Sequence, residues 1–145
     1  MKDEFEFDSD DEIVIKYKQK RLNELQSIAG KGSVRTLYDE SDLIYKTKRD
    51  TMIVHFYDDR FEKCKIMDYN LEKIANGFKD IEFIRIEAAR CGLVTQRLGI
   101  RVLPFLGFFK KGFFVDSVVG FEGLGTESFE SEDLKKLIKS SNLYK

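Results

Sequence analysis

The chain has 145 residues, 42% of them hydrophobic and thirteen of them phenylalanine, enough to bury one sizeable core but crowded for a second full domain. A formal net charge of −1, with lysines and arginines interspersed among acids, gives no prior for nucleic acid. No apolar stretch approaches membrane-spanning length and Met1-Lys2-Asp3-Glu4 is acidic where a signal peptide is basic, so a soluble, intracellular (cytoplasmic) protein is expected, with no membrane partner. Two cysteines, Cys64 and Cys91, without close spacing fit a reducing compartment better than a disulfide scaffold.

From residue 1 to residue 12 the sequence is acidic, with Phe5 and Phe7 its only large apolar side chains, and it reads as a mobile tail. From Ile13 to Ile28 the spacing of Ile15, Leu22, Leu25 and Ile28 among basic residues predicts an amphipathic helix, ended by Gly30-Lys31-Gly32. The same narrow stripe serves either to fold back on the domain or to enter a partner's groove. The main domain, 33–145, follows.

Ser33 to Tyr38 reads as a short edge strand, and Asp39-Glu40-Ser41-Asp42 as the acidic start of a helix carrying Leu43, Ile44 and Tyr45. Met52-Ile53-Val54-His55-Phe56-Tyr57 is nearly continuous in apolar residues, which predicts a strand buried on both faces. Asp58-Asp59-Arg60 breaks it. Phe61 to Phe78 predicts a helix with Cys64, Met67, Leu71, Ile74, Ala75 and Phe78 inward, closed near Asn76-Gly77. A second interior strand follows at Ile81–Ile86, then a short helix from Cys91 to Leu98 capped by Gly99.

Pro104 is the sole proline, and it is expected at the first position of the strand that follows, because proline has no amide to give a central ladder. A cis Leu103-Pro104 bond is one use for it that composition leaves open. Lys111-Gly112 turns that strand into Phe113–Val119, a hairpin. Gly120-Phe121-Glu122-Gly123-Leu124-Gly125 lacks nucleotide-fingerprint spacing, so its glycines read as turn residues. Ser131-Glu132-Asp133 is expected to cap a last helix with Leu134, Leu137 and Ile138 inward, and Ser140 to Lys145 to fray. Parallel βαβ units, a hairpin and a covering helix describe a three-layer α/β sandwich with a mixed sheet.

That order resembles the thioredoxin fold over roughly 33–140: Val54-His55-Phe56-Tyr57 matches the strand before the redox motif, Cys64-Lys65 its second cysteine and following lysine, and Gly99–Pro104 the segment carrying the family's cis-proline. A thioredoxin needs Cys-x-x-Cys at a helix start, so that one thiolate attacks a disulfide and the other resolves it. Here the motif is Phe61-Glu62-Lys63-Cys64. One thiol cannot run a dithiol cycle, and no catalytic residue is assigned. Cys64 and His55, the latter at a strand position where thioredoxins place a buried acid, are the residual redox-position candidates, and a nucleophile–base pairing of the two lacks a visible orienting group. One histidine and two distant cysteines build no metal site, and no cofactor is expected.

Phe56-Tyr57-Asp58, Cys64-Lys65-Ile66-Met67-Asp68, Ile84-Arg85-Ile86-Glu87 and above all Val119-Gly120-Phe121-Glu122-Gly123-Leu124-Gly125, with Phe129 and Glu132 after it, resemble the phosducin-like branch of the fold, the group of thioredoxin domain-containing protein 9. The resemblance implies a cytosolic co-chaperone that binds the cytosolic chaperonin and modulates folding of its clients, tubulin and actin. The wider family also binds G-protein βγ dimers, through a long N-terminal domain that this sequence does not match. The residues expected at partner surfaces are Phe61, Leu103 and Pro104, where an apolar ring replaces the nucleophile, and Ile15, Leu22 and Leu25 of the N-terminal stripe. A residual thiol-dependent redox protein, or a regulator that binds G-protein βγ, is the alternative.

Overall fold

The computed structural model describes residues 32–145. The expected tail over 1–12 and the helix over 13–28, with Ile15, Leu22 and Leu25, lie outside the described residues. The elements are β1 (Val34–Leu37), α1 (Glu40–Thr47), β2 (Thr51–Tyr57), α2 (Glu62–Ala75), β3 (Glu82–Glu87), α3 (Gly92–Leu98), β4 (Phe105–Lys110), β5 (Phe113–Val119) and α4 (Ser131–Lys139). Short 3₁₀ turns, Ala88–Arg90 and Asn142–Tyr144, precede α3 and follow α4.

The five strands form one sheet in the order β1-β3-β2-β4-β5. β1, β3 and β2 run parallel to one another, β4 runs antiparallel to β2, and β5 turns back against β4 as the second arm of a hairpin. β2 is central, and six of its seven residues are buried, as its unbroken apolar run requires. Its odd residues face one layer and its even residues the other. Ile53, Phe83, Leu106, Phe108 and Val118 pack with Met67, Leu71 and Ile74 of α2 and Leu134 and Ile138 of α4. On the opposite face Met52, Val54, Phe56, Ile84, Ile86 and Phe109 pack with Leu43 of α1 and with Val94 and Leu98 of α3. This is the expected thioredoxin-like three-layer sandwich.

Local chemistry sets the ends of the elements. The Asp39 carboxylate accepts the Ser41 amide at 3.0 Å and caps α1. Gly99 closes α3 at φ 69°, in the left-handed region. Lys111 and Gly112 both have positive φ, 46° and 97°, which is what a two-residue hairpin turn of the I′ kind demands. Lys111 is the one non-glycine residue with positive φ among the described residues, a conformation that costs about 1 kcal/mol for a residue with a Cβ.

Three expectations need correction. Pro104 lies one residue ahead of β4, which begins at Phe105; its carbonyl, not a strand position, joins the sheet edge by accepting the Gly120 amide at 2.8 Å. The Leu103-Pro104 bond is cis. The cap of α4 is Glu130 rather than Ser131, which is already helical. The C-terminus does not fray: Leu143 enters the α2–α4 core at 5% exposure, Ser141 Oγ donates to the Ile138 carbonyl at 2.6 Å, and Asn142 Nδ2 donates to the Val115 carbonyl at 3.0 Å. Val115 is free to accept there because β4 and β5 shift register between Phe108 and Phe109, leaving it as the extra residue of a bulge.

Leu143→Ala is therefore expected to lower unfolding free energy by about 2–5 kcal/mol in urea titrations, the range for emptying a buried leucine site. A loss below about 0.5 kcal/mol would show that the last residues carry no core contact.

Candidate functional site

In the parallel register of β2 and β3, His55 stands beside Arg85, and both face α2. Asp68, one helical turn past Cys64, reaches down between them. His55 Nδ1 is 2.9 Å from Asp68 Oδ1, and Arg85 donates to both carboxylate oxygens, Nε to Oδ1 at 3.1 Å and Nη2 to Oδ2 at 2.9 Å. Arg85 Nη1 also donates to Thr36 Oγ1 at 3.2 Å, which brings β1 into the network, and the guanidinium lies 3.9 Å from the Tyr57 ring centroid.

His55 is completely buried, and burial pushes its pKa below the ordinary value, with the Arg85 charge adding to the effect against the pull of Asp68. The neutral ring therefore donates Nδ1–H to Asp68. Its Nε2 is buried with no polar partner among the described residues. Burial raises the Asp68 carboxyl, but the hydrogen bonds and charges of His55 and Arg85 outweigh that and hold it below the usual range. The sequence reading found no orienting group for His55; Asp68 is one, although no hydrogen bond links the imidazole to Cys64.

Both thiols are sealed. Cys64 is 1% exposed and Cys91 is fully buried, and neither is in a disulfide. Burial pushes the Cys64 thiol up, and the carboxylates Asp68, Asp58 and Asp59 add to this against one backbone hydrogen bond at Asp58. Burial, with Glu40 nearby, pushes Cys91 up to about 12. A helix start acidifies a thiol only where the thiolate is tolerated, and here it is not.

Phe61 is the N-cap residue of α2, with extended backbone, no side-chain cap and 44% exposure. Asp58 organises the approach: its carboxylate accepts the Arg60 amide at 2.9 Å and pairs with the Arg60 guanidinium at 2.6 Å. The registers Phe56↔Ile86, Phe56↔Phe105 and Phe105↔Val119 place the loops after β2, β3 and β5 and before β4 at the same end of the sheet. That end carries exposed Phe61, Leu93, Val102 and Val119. Leu103 is half-buried beside them, and its main chain has no hydrogen bond among the described residues. Pro104 is buried, so its ring offers no surface. Leu93 and Val102 were missed by the sequence reading, because a single apolar residue at the start of a short helix or in a loop has no periodicity to mark it.

A thioredoxin family model matches residues 36–138. The chain is 35% identical to phosducin-like protein 3 of Dictyostelium discoideum over 89% of its own length and 74% of that protein's. It belongs to the thioredoxin family, in the phosducin-like branch. This phosducin-like chain is also 30% identical to human thioredoxin domain-containing protein 9, over 93% of itself and 63% of that protein. It spans about half the length of several other curated relatives. Among solved structures, a thioredoxin variant from Halobacterium salinarum NRC-1 matches with a TM-score of 0.62 at 22% identity, covering 77% of this chain and 93% of that one, a likeness of fold. No helix among the described residues is long and apolar enough to cross a membrane.

Two outcomes are expected. A buried neutral histidine with a lowered pKa stabilises fully above its unfolded pKa of 6.5, and that contribution is lost as pH falls below 6.5 toward the folded value. Asp42, pushed up to about 6 by burial and by Asp39, acts in the opposite sense, so the difference between wild type and His55→Asn is the measure. Wild type should lose unfolding free energy relative to His55→Asn, by up to about 1.4 kcal/mol per pH unit in urea titrations, as pH falls below about 6.5. Parallel profiles would mean the imidazole titrates alike in the folded and unfolded chain. Separately, Ellman titration at about pH 8 should leave both thiols unreacted in the native protein and release both in denaturant.

Proposed function

We propose that this phosducin-like chain is a non-catalytic co-chaperone that binds the cytosolic chaperonin and modulates folding of its clients, with tubulin and actin the expected ones. The observation that carries the reading is Phe61 at the cap of α2, where disulfide exchange needs sulfur, above a Cys64 thiol that is buried and held neutral. An exchanger must expose a thiolate to an incoming disulfide, and this end of the sheet exposes a phenyl ring instead.

The partner surface in this reading is the end of the sheet holding Phe61 and Leu103. Phe61 supplies an apolar anchor, and the unbonded Leu103 main chain accepts an extended segment by strand addition. Pro104 contributes by directing that backbone. The stripe of Ile15, Leu22 and Leu25 is the second contact. The relatives' names support the branch and state no partner. Cytoplasmic localisation belongs to the same proposal.

Affinity purification of the tagged full chain from its own cell extract should recover chaperonin subunits, with Cys64→Ser binding unchanged and Phe61→Asp binding at least about tenfold weaker, as loss of a buried aromatic anchor entails. Recovery without chaperonin subunits would end this reading. Insulin reduction with thioredoxin reductase should not exceed the blank; sustained turnover lost in Cys64→Ser would establish a thiol-dependent redox protein instead.

A further inference from the structure

At the opposite end of the sheet, two turns are tied together. The Gly112 amide donates to the Thr47 carbonyl at 2.8 Å and the Lys111 amide to the Asp50 carbonyl at 3.3 Å, fastening the tip of the β4–β5 hairpin to the α1–β2 connection. Arg49 and Lys111, both exposed, and half-buried Lys110 are thereby fixed as neighbours on a rigid support. Among the described residues no carboxylate pairs with any of the three; Asp50 in the same turn is taken by Lys46 at 3.7 Å. Arg49 is instead braced by Tyr45, Nη1 donating to the phenol oxygen at 2.6 Å with the guanidinium 5.0 Å from the ring centroid.

Aromatic surface flanks this charge. Tyr45 is 60% exposed and Phe113, next after the turn, 72%. The turn itself adds an independent observation. Its first central position requires positive φ, where asparagine or glycine is relaxed, yet it holds a lysine. A strained residue with an unpaired charge at a rigid tip is a candidate for a use outside the fold.

We infer that this basic, aromatic-flanked pair of turns is a docking surface for an acidic segment of a partner protein containing an apolar residue. Arg49, Lys110 and Lys111 meet the carboxylates, and Phe113 and Tyr45 meet the apolar side chain. Charge complementarity favours this occupant: the three cations here have no carboxylate partner among the described residues, whereas at the Phe61 end Asp58, Asp59, Glu62 and Glu122 are interspersed with Arg60, Lys63 and Arg101 and Asp58 is already paired with Arg60. Three charges on two short turns suit a short peptide better than a nucleic-acid backbone, which is tracked over many phosphates. The inference is independent of the chaperonin reading, since it concerns the other end of the domain.

The test is fluorescence anisotropy with the full chain and a labelled peptide, Glu-Glu-Phe-Glu-Glu-Phe-Glu-Glu, at low and physiological salt. Binding is expected to weaken with salt. Arg49→Ser with Lys111→Asn should weaken it by at least about fivefold, while Lys111→Asn alone keeps or raises Tm because asparagine relaxes the turn. That pairing separates a binding role from a structural one. Unchanged affinity in the double variant overturns the inference, as does equal or tighter binding of an oligothymidylate of matching charge through the same residues. Chaperonin capture unaffected by the double variant leaves the two readings distinct.

Discussion

The interior of this domain is organised around one buried imidazole. A histidine in the central strand of an otherwise apolar sheet must leave water, and uncompensated burial of a polar ring costs several kcal/mol on transfer scales. Asp68 supplies the compensation, but a carboxylate between sheet and helix needs its own partner, and Arg85 fills that need from the neighbouring strand. Arg85 in turn reaches Thr36 on the edge strand and lies over Tyr57. Three strands and the long helix are thus held to one register by groups that have no better alternative, whereas apolar contacts alone tolerate small slides.

The chemistry at the head of α2 follows from this arrangement. Asp68 is one turn beyond Cys64, so the carboxylate that satisfies His55 also disfavours a thiolate on the same helix. A base is present, but burial weakens it and one nitrogen is committed to Asp68. The pieces of a nucleophilic site are adjacent in the fold, and their electrostatics run against ionising the sulfur. Phe61 then covers the position from which a second sulfur would act.

Much of this was legible in the sequence where a pattern repeats. The apolar run of β2, the helical stripe of α2 and the Lys111-Gly112 turn each carry a local signal that tertiary structure leaves in place. The missing parts are those whose cause is not local. Leu143 stands alone among polar residues, so nothing in Ser140–Lys145 announces that the chain returns to the core; that depends on a bulge freeing the Val115 carbonyl on another strand. Nothing local in the sequence marks Asp68 or Arg85 for an interior role. Only the parallel register that sets His55 beside Arg85 makes them interior partners. Sequence reading located the substitution at Phe61 and could not see that Pro104 is buried, because exposure at a strand entrance is decided by the loop crossing it, here Gly120.

The same sheet presents two ends of different character. One gathers the hairpin tip and the α1–β2 turn with their basic residues, and the other gathers Phe61, Leu93, Val102 and Val119 among charges of both signs. A five-stranded sheet fixes these ends as rigidly as it fixes its core, so a partner at one cannot remodel the other without breaking the His55–Asp68–Arg85 register between them. Binding at the two ends should therefore be close to additive, because coupling needs an element with two arrangements, and the network leaves the centre of the sheet only one.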